Sequence, residues 1–152
     1  MRVYRIGRTK YANDLAGEGA RLFGGRWNHK STPCIYTSES RALALLEYTV
    51  NVNVDEIPRG LSITTFEIPS TGIKIIPEES LPGNWKSSPA PSSTKGFGTQ
   101  FLSSLSNAVF KIPSAVISEE YNFILNPLHA GSKDFKIVAV NDFVYDMRIK
   151  MV

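Results

Sequence analysis

Residues 17–48 read GEGARLFGGRWNHKSTPCIYTSESRALALLEY, and their order decides the reading of the whole chain. A glycine-rich, arginine-containing turn comes first, a short apolar run ending near Tyr36 second, and a helical pattern carrying a single carboxylate, Glu47, third. Gly17, Gly19, Gly24 and Gly25 allow backbone angles closed to other residues and let a ligand approach the main chain. Arg21 and Arg26 stand among them, and a guanidinium fork suits phosphate or carboxylate. The combination predicts an anion site, although ordinary loops also combine glycine with arginine.

The helical pattern over 39–50 is rich in Ala and Leu, with Ser38 or Ser40 as the capping hydroxyl. Leu43, Leu46, Glu47 and Val50 share the i, i+3, i+4, i+7 spacing of one face, so Glu47 lies on the apolar stripe. A carboxylate there is costly unless it is paired or lines a cleft.

The rest of the chain supplies strands. Val3 to Ile6 reads as the first, with Tyr4 and Ile6 on one face and Val3 and Arg5 on the other. A short helical turn is expected over 11–15. Pro33 keeps its predecessor extended, and a strand over 34–37 follows. Residues 51–60 read as a loop, 61–68 as a β-branched strand and 72–76 as a short one. From 77 to 98 Pro, Gly and Ser dominate, as in irregular binding lids or mobile loops. Trp85 in that segment is either an anchor to the core or a residue that stacks on ligand. A short helix over 99–105, strands over 108–112 and 121–125, and one or two strands over 135–145 complete the pattern. The sum is a strand-rich α+β domain over residues 1–152.

At 152 residues, with 42% hydrophobic and 20% charged residues, the chain reads as soluble and able to bury a core. The formal charge of +3 and pI near 9.0 come from scattered residues, without the Lys/Arg run of a nucleic-acid arm. Cys34 is the single cysteine, so no internal disulfide forms and no metal site is expected. No stretch approaches the roughly 20 apolar residues that cross a bilayer, nor does the N-terminus carry a secretory core. A cytoplasmic protein is expected.

Each candidate has a plain alternative. Glu47 is a paired helix carboxylate, or a carboxylate in a cleft that stabilises a developing positive charge or positions a ribose hydroxyl. Arg26 is a packing arginine or a clamp on phosphate, and Arg21 is a weaker version of the same choice. Tyr36 fills the core or stacks on a planar ring. Ser114, after Pro113, is a turn residue or a site hydroxyl; no Gly-x-Ser-x-Gly elbow surrounds a serine nucleophile. His29 and His129 lack ligand spacing. Neither a Walker A loop nor a strand–GxGxxG–helix unit is present.

Taken in order, GEGARLFGGRWN (17–28), Tyr36 with SESRALALLEY (38–48), IPSAVI (112–117) and YNFILNPLH (121–129) resemble the RES domain family, named for an arginine, a glutamate and a serine. The resemblance spans essentially the whole chain. It places Arg26, Glu47 and Ser114 at the naming positions as catalytic residues. Arg21, Trp27, Asn28 and Tyr36 become substrate-binding residues. It implies an ADP-ribosyltransferase-like fold, NAD as substrate with no further cofactor and no metal, and a toxin's role in a bacterial toxin–antitoxin pair. The implied activity is cleavage of NAD by water or phosphate, or ADP-ribosylation of a protein. The implied partner is an Xre-type helix-turn-helix antitoxin that covers the site, with a homodimer within the complex left open. Direct nucleic-acid or membrane binding is not implied; a non-enzymatic nucleic-acid-binding module is the reading that basic pI alone would favour. Two departures stand out. Ser31 occupies a position where the family usually has glycine, and Gly98-Thr99-Gln100-Phe101 replaces a Gly-Asp-x-Trp stretch.

Overall fold

The computed structural model describes residues 1–150. The β-branched and aromatic runs form seven strands: β1 (Arg2–Arg8), β2 (Ile35–Ser38), β3 (Leu61–Glu67), β4 (Ile73–Ile75), β5 (Val109–Pro113), β6 (Tyr121–Leu125) and β7 (Lys136–Phe143). They join one sheet in the order β4-β5-β6-β2-β1-β3-β7. Every described pairing is antiparallel except β4 with β5. Among the described residues three α-helices, α1 (Glu18–Phe23), α2 (Arg41–Asn51) and α3 (Ser92–Ser104), complete the α+β architecture, with short 3-10 turns between elements.

Strand alternation gives the sheet two apolar faces. Val3, Ile35, Phe66, Val109, Phe123, Leu125 and Phe135 pack in one core. Phe110, Ile112 and Ile124 join Trp27, Trp85, Leu102 and Ile76 in the other. Register aligns Tyr4, Ser38, Asn122 and Ile112 in one row across β1, β2, β6 and β5. The row two residues away holds Tyr36, Ile124 and Phe110. These two rows carry the site.

Several boundaries move from those the sequence suggests. Gly17 and Gly24 take left-handed angles (φ 73° and 70°) at the two ends of α1, so the glycine-rich turn encloses a helix. Asp14 starts that helix by accepting from the Glu18 N–H at 2.7 Å. The turn expected over 11–15 lies earlier, at Thr9–Tyr11. Of the two capping serines, Ser40 serves α2, accepting from the Leu43 N–H at 3.0 Å, while Ser38 ends β2. The stripe on α2 turns toward Leu43 and Ala44, and Val50 is 56% exposed.

The largest difference is α3, which begins at Ser92, well inside the segment expected to be irregular. Gly96 and Gly98 lower helix propensity, and packing overrides them. A Cβ on Gly98 would lie 1.9 Å from the Trp27 carbonyl oxygen, so only glycine lets the helix approach that strand-leading loop. Thr99, at the second departure from the family pattern, accepts from the His29 N–H at 2.9 Å and ties α3 to the same loop. Trp85 is 6% exposed and packs against Trp27, as an anchor does. Residues 135–145 carry a single strand, β7.

Ser31 has φ 80°, the left-handed angle that favours glycine. Its N–H donates to the Arg21 carbonyl at 2.8 Å, which holds the turn there. Ser31→Gly relieves a penalty of about 1 kcal/mol and returns part of it as unfolded-chain entropy. We expect a net gain of a few tenths of a kcal/mol to about 1 kcal/mol, seen as a higher urea midpoint. A lower midpoint would contradict a strained Ser31.

Candidate active site

Glu47 leaves α2 half-buried and meets the sheet. Its Oε1 accepts from the Ser114 hydroxyl at 2.6 Å and from Asn122 Nδ2 at 2.7 Å. Three elements therefore converge on one carboxylate oxygen: α2, the end of β5 and β6. Ser114 is fully buried, and its own oxygen accepts from the Val116 and Ile117 N–H groups at 3.0 and 3.2 Å. That hydroxyl is committed at both ends, so it orients Glu47. The other carboxylate oxygen, Oε2, has no hydrogen-bond partner among the described residues.

Arg26 follows Gly24 and Gly25 on the loop that leads to β2. Its Nη1 donates to the carbonyls of Trp85 and Ser87, both at 2.8 Å, which ties the 85–87 segment to the loop. Nε and Nη2 make no hydrogen bond among the described residues. A planar guanidinium with one nitrogen engaged keeps a fork for an anion.

Tyr36 supports this loop from β2. Its hydroxyl accepts from the Trp27 N–H at 2.9 Å and donates to Asn28 Oδ1 at 2.6 Å. Its ring closes against Gly25, where a Cβ would come within 2.7 Å of the phenol oxygen. Burial pushes the Tyr36 phenol well above its ordinary pKa, and nearby Cys34 adds to the rise. The hydroxyl is therefore a stable donor at neutral pH. Burial likewise pushes the Cys34 thiol up to about 12, so that group is inert.

The remaining candidates are occupied within the fold. Asn28 is fully buried, and its amide nitrogen donates to the carbonyls of Ala20 and Thr32 at 2.8 and 2.9 Å. It braces the loop from inside. The Trp27 indole is 3% exposed and packs with Trp85 and Phe97. Arg21 lies exposed on α1, where its Nε donates to Glu18 at 2.9 Å; that bond raises the Arg21 pKa and lowers that of Glu18.

The structure thus builds two anchored groups from one face of one strand. Tyr36 backs the Arg26 loop, and Ser38, two residues on, backs Glu47 through Asn122. Such positions stand about 7 Å apart along a strand. A depression of about 360 Å³ borders the loop, lined by Phe23, Gly24, His29, Lys30 and Lys95; neither Arg26 nor Glu47 lines it. Lys95 also donates to the Gly25 carbonyl at 2.8 Å. Among the described residues, no group of three or more His, Cys, Asp or Glu could hold a metal ion. No described helix is long and apolar enough to cross a membrane.

Asn122 and Ser38 escape a reading of the sequence alone. Asn122 sits in the apolar run YNFIL, where a polar residue is the available signal. Ser38 reads as a helix cap. Only the register between β2 and β6 brings them together.

The family model described as "RES domain" matches residues 2–146. A Sphingobium sp. protein named "Prs ADP-ribosylating toxin" is 34% identical over 97% of this chain and 94% of its own length. A Yersinia enterocolitica protein named "Toxin Res" is 35% identical over 99% of this chain and 100% of its own. Among solved structures, a chain of the M. tuberculosis MbcT–MbcA toxin–antitoxin complex superposes with a TM-score of 0.74 at 16% identity, covering 94% of this chain and 84% of that one. The likeness in fold persists where little sequence is shared.

Tyr36→Phe tests the loop support. It keeps the ring and leaves the Trp27 N–H and Asn28 Oδ1 without their partner, at a cost of about 2 kcal/mol. The urea midpoint should fall accordingly. An unchanged midpoint would mean that the loop is held by other contacts.

Proposed function

We propose that this chain, which belongs to the RES domain family, is the toxin of a bacterial toxin–antitoxin pair and cleaves the nicotinamide–ribose bond of NAD. The observation that carries this reading is the Glu47 carboxylate, fixed at Oε1 by two donors and without a hydrogen-bond partner at Oε2 among the described residues. The names of its relatives support the toxin role.

The chemistry follows from the charges. When the glycosidic C–N bond breaks, its electron pair returns to the nicotinamide ring, which leaves neutral. The ribose carbon becomes an oxocarbenium-like centre. Negative charge beside that sugar stabilises the transition state more than the ground state, the condition for catalysis. Glu47 Oε2 supplies it and accepts a ribose hydroxyl. Arg26 grips the diphosphate with Nε and Nη2. The Tyr36 ring stacks on nicotinamide. Ser114 works through Glu47. Water or phosphate then attacks the cation, and the proton of the nucleophile passes to solvent.

A second reading has a specific support: one relative is named as an ADP-ribosylating toxin. A protein nucleophile would intercept the same cation. Labelled NAD added to lysate separates the two, since transfer labels a protein band and breakdown gives only small products. The antitoxin is proposed to be an Xre-type protein that covers this site, and the setting is the cytoplasm, where NAD is available.

Purified protein mixed with NAD should release free nicotinamide. Glu47→Gln preserves size and should lower the rate by about 10²- to 10³-fold with the fold intact; full activity in that variant would remove Glu47 from the mechanism. Arg26→Ala should weaken NAD binding by about tenfold to a hundredfold, the scale of a charge-assisted hydrogen bond. Unchanged affinity would take Arg26 out of the site.

A further inference from the structure

We infer that Asn122, set by Ser38, is a positioning residue that holds the Glu47 carboxylate in its working orientation. The inference rests on the reading of Glu47 given above and adds two residues to it.

The Ser38 hydroxyl donates to Asn122 Oδ1 at 2.7 Å, and Asn122 Nδ2 donates to Glu47 Oε1 at 2.7 Å. Ser38 and Asn122 are direct Cα partners on β2 and β6, so the ladder itself delivers them to each other. Ser38 is 3% exposed, which keeps water from competing for its bond. A carboxamide has two ends of opposite character. With its oxygen taken by Ser38, its nitrogen must face Glu47; the flipped amide would set oxygen against carboxylate.

A terminal carboxylate torsion is broad and two-fold. Ser114 alone would tether Oε1 and leave the group free to swing about that bond. The second donor from Asn122 fixes the plane and thereby the direction of Oε2. A packing role would not require this chemistry. The adjacent positions on the same face, Phe110, Ile112 and Ile124, are apolar and buried. Buried polar groups cost free energy unless paired, so an apolar pair here would serve the core as well. The polar pair ends on the one carboxylate the proposed reaction uses.

A positioning role predicts a split between kinetic constants. Asn122→Ala should lower kcat for nicotinamide release by about tenfold to a hundredfold, with KM within about twofold. Ser38→Ala should lower kcat by about three- to tenfold. In the Asn122→Ala background the Ser38 change should cost nothing more, because Ser38 acts only through Asn122. A raised KM with kcat unchanged, or two losses that multiply in the double variant, would overturn the inference. A second readout does not depend on turnover. In ¹H–¹⁵N spectra the Asn122 side-chain amide should shift in both Glu47→Gln and Ser38→Ala. If wild-type protein releases no nicotinamide while that amide shifts in both variants, the NAD reading fails and the positioning device stands. An amide that stays in place in both variants overturns the device whatever the activity.

Discussion

A carboxylate set half into a protein costs free energy unless donors meet it. Here the donors come from two strands, while the acid comes from a helix. Glu47 on α2 reaches Ser114 beyond β5 and Asn122 on β6, so the bonds exist only when the sheet has formed and α2 has docked on it. The site is thus a consequence of the whole architecture. The Ser40 cap matters for the same reason: it starts α2 directly after β2 and so fixes the phase in which Glu47, further along the helix, meets the sheet.

The glycine-rich loop follows a parallel logic with different chemistry. Asn28 has no exposure and spends its amide on carbonyls within the loop, and Tyr36 closes the network from the sheet. Gly25 admits the Tyr36 ring, and Gly98 admits α3 against Trp27. Those two glycines explain how an arginine-bearing loop can lie between a strand and a helix without side-chain bulk forcing them apart. Arg26 is left at the rim, bonded to the segment around Trp85 through one nitrogen. Among the described residues Arg26 makes no salt bridge, so an anion arriving there need only engage the nitrogens that Trp85 and Ser87 leave unused.

Much of this was legible in the residues. The β-branched and aromatic runs announced the strands, and Glu47 on an apolar stripe announced a carboxylate that needed partners. What those partners were depended on register, which hydrophobic pattern alone does not specify. Hence Ser38 reads as one of two candidate caps, and Asn122 passes without remark inside the strand over 121–125. Helix α3 was obscured because Gly96 and Gly98 speak against helix locally, while the reason for Gly98 lies seventy-odd residues away at Trp27. The family resemblance assigns Asn28 and Trp27 to substrate binding; in the fold Asn28 spends its amide on loop carbonyls and Trp27 packs with Trp85 and Phe97. Ser31 is the reverse case: a residue flagged as a departure from a family pattern turns out to hold the left-handed angle that glycine would hold without strain.

The most direct test is a crystal structure of the protein soaked with ADP-ribose, the fragment that remains once nicotinamide has gone. The geometry predicts a ribose hydroxyl on Glu47 Oε2 and diphosphate oxygens on Arg26 Nε and Nη2, with the Ser114 and Asn122 bonds to Oε1 retained. A ligand seated instead among Lys30, Lys95 and Phe23, with Glu47 untouched, would contradict the assignment of this carboxylate as the charge that the reaction needs.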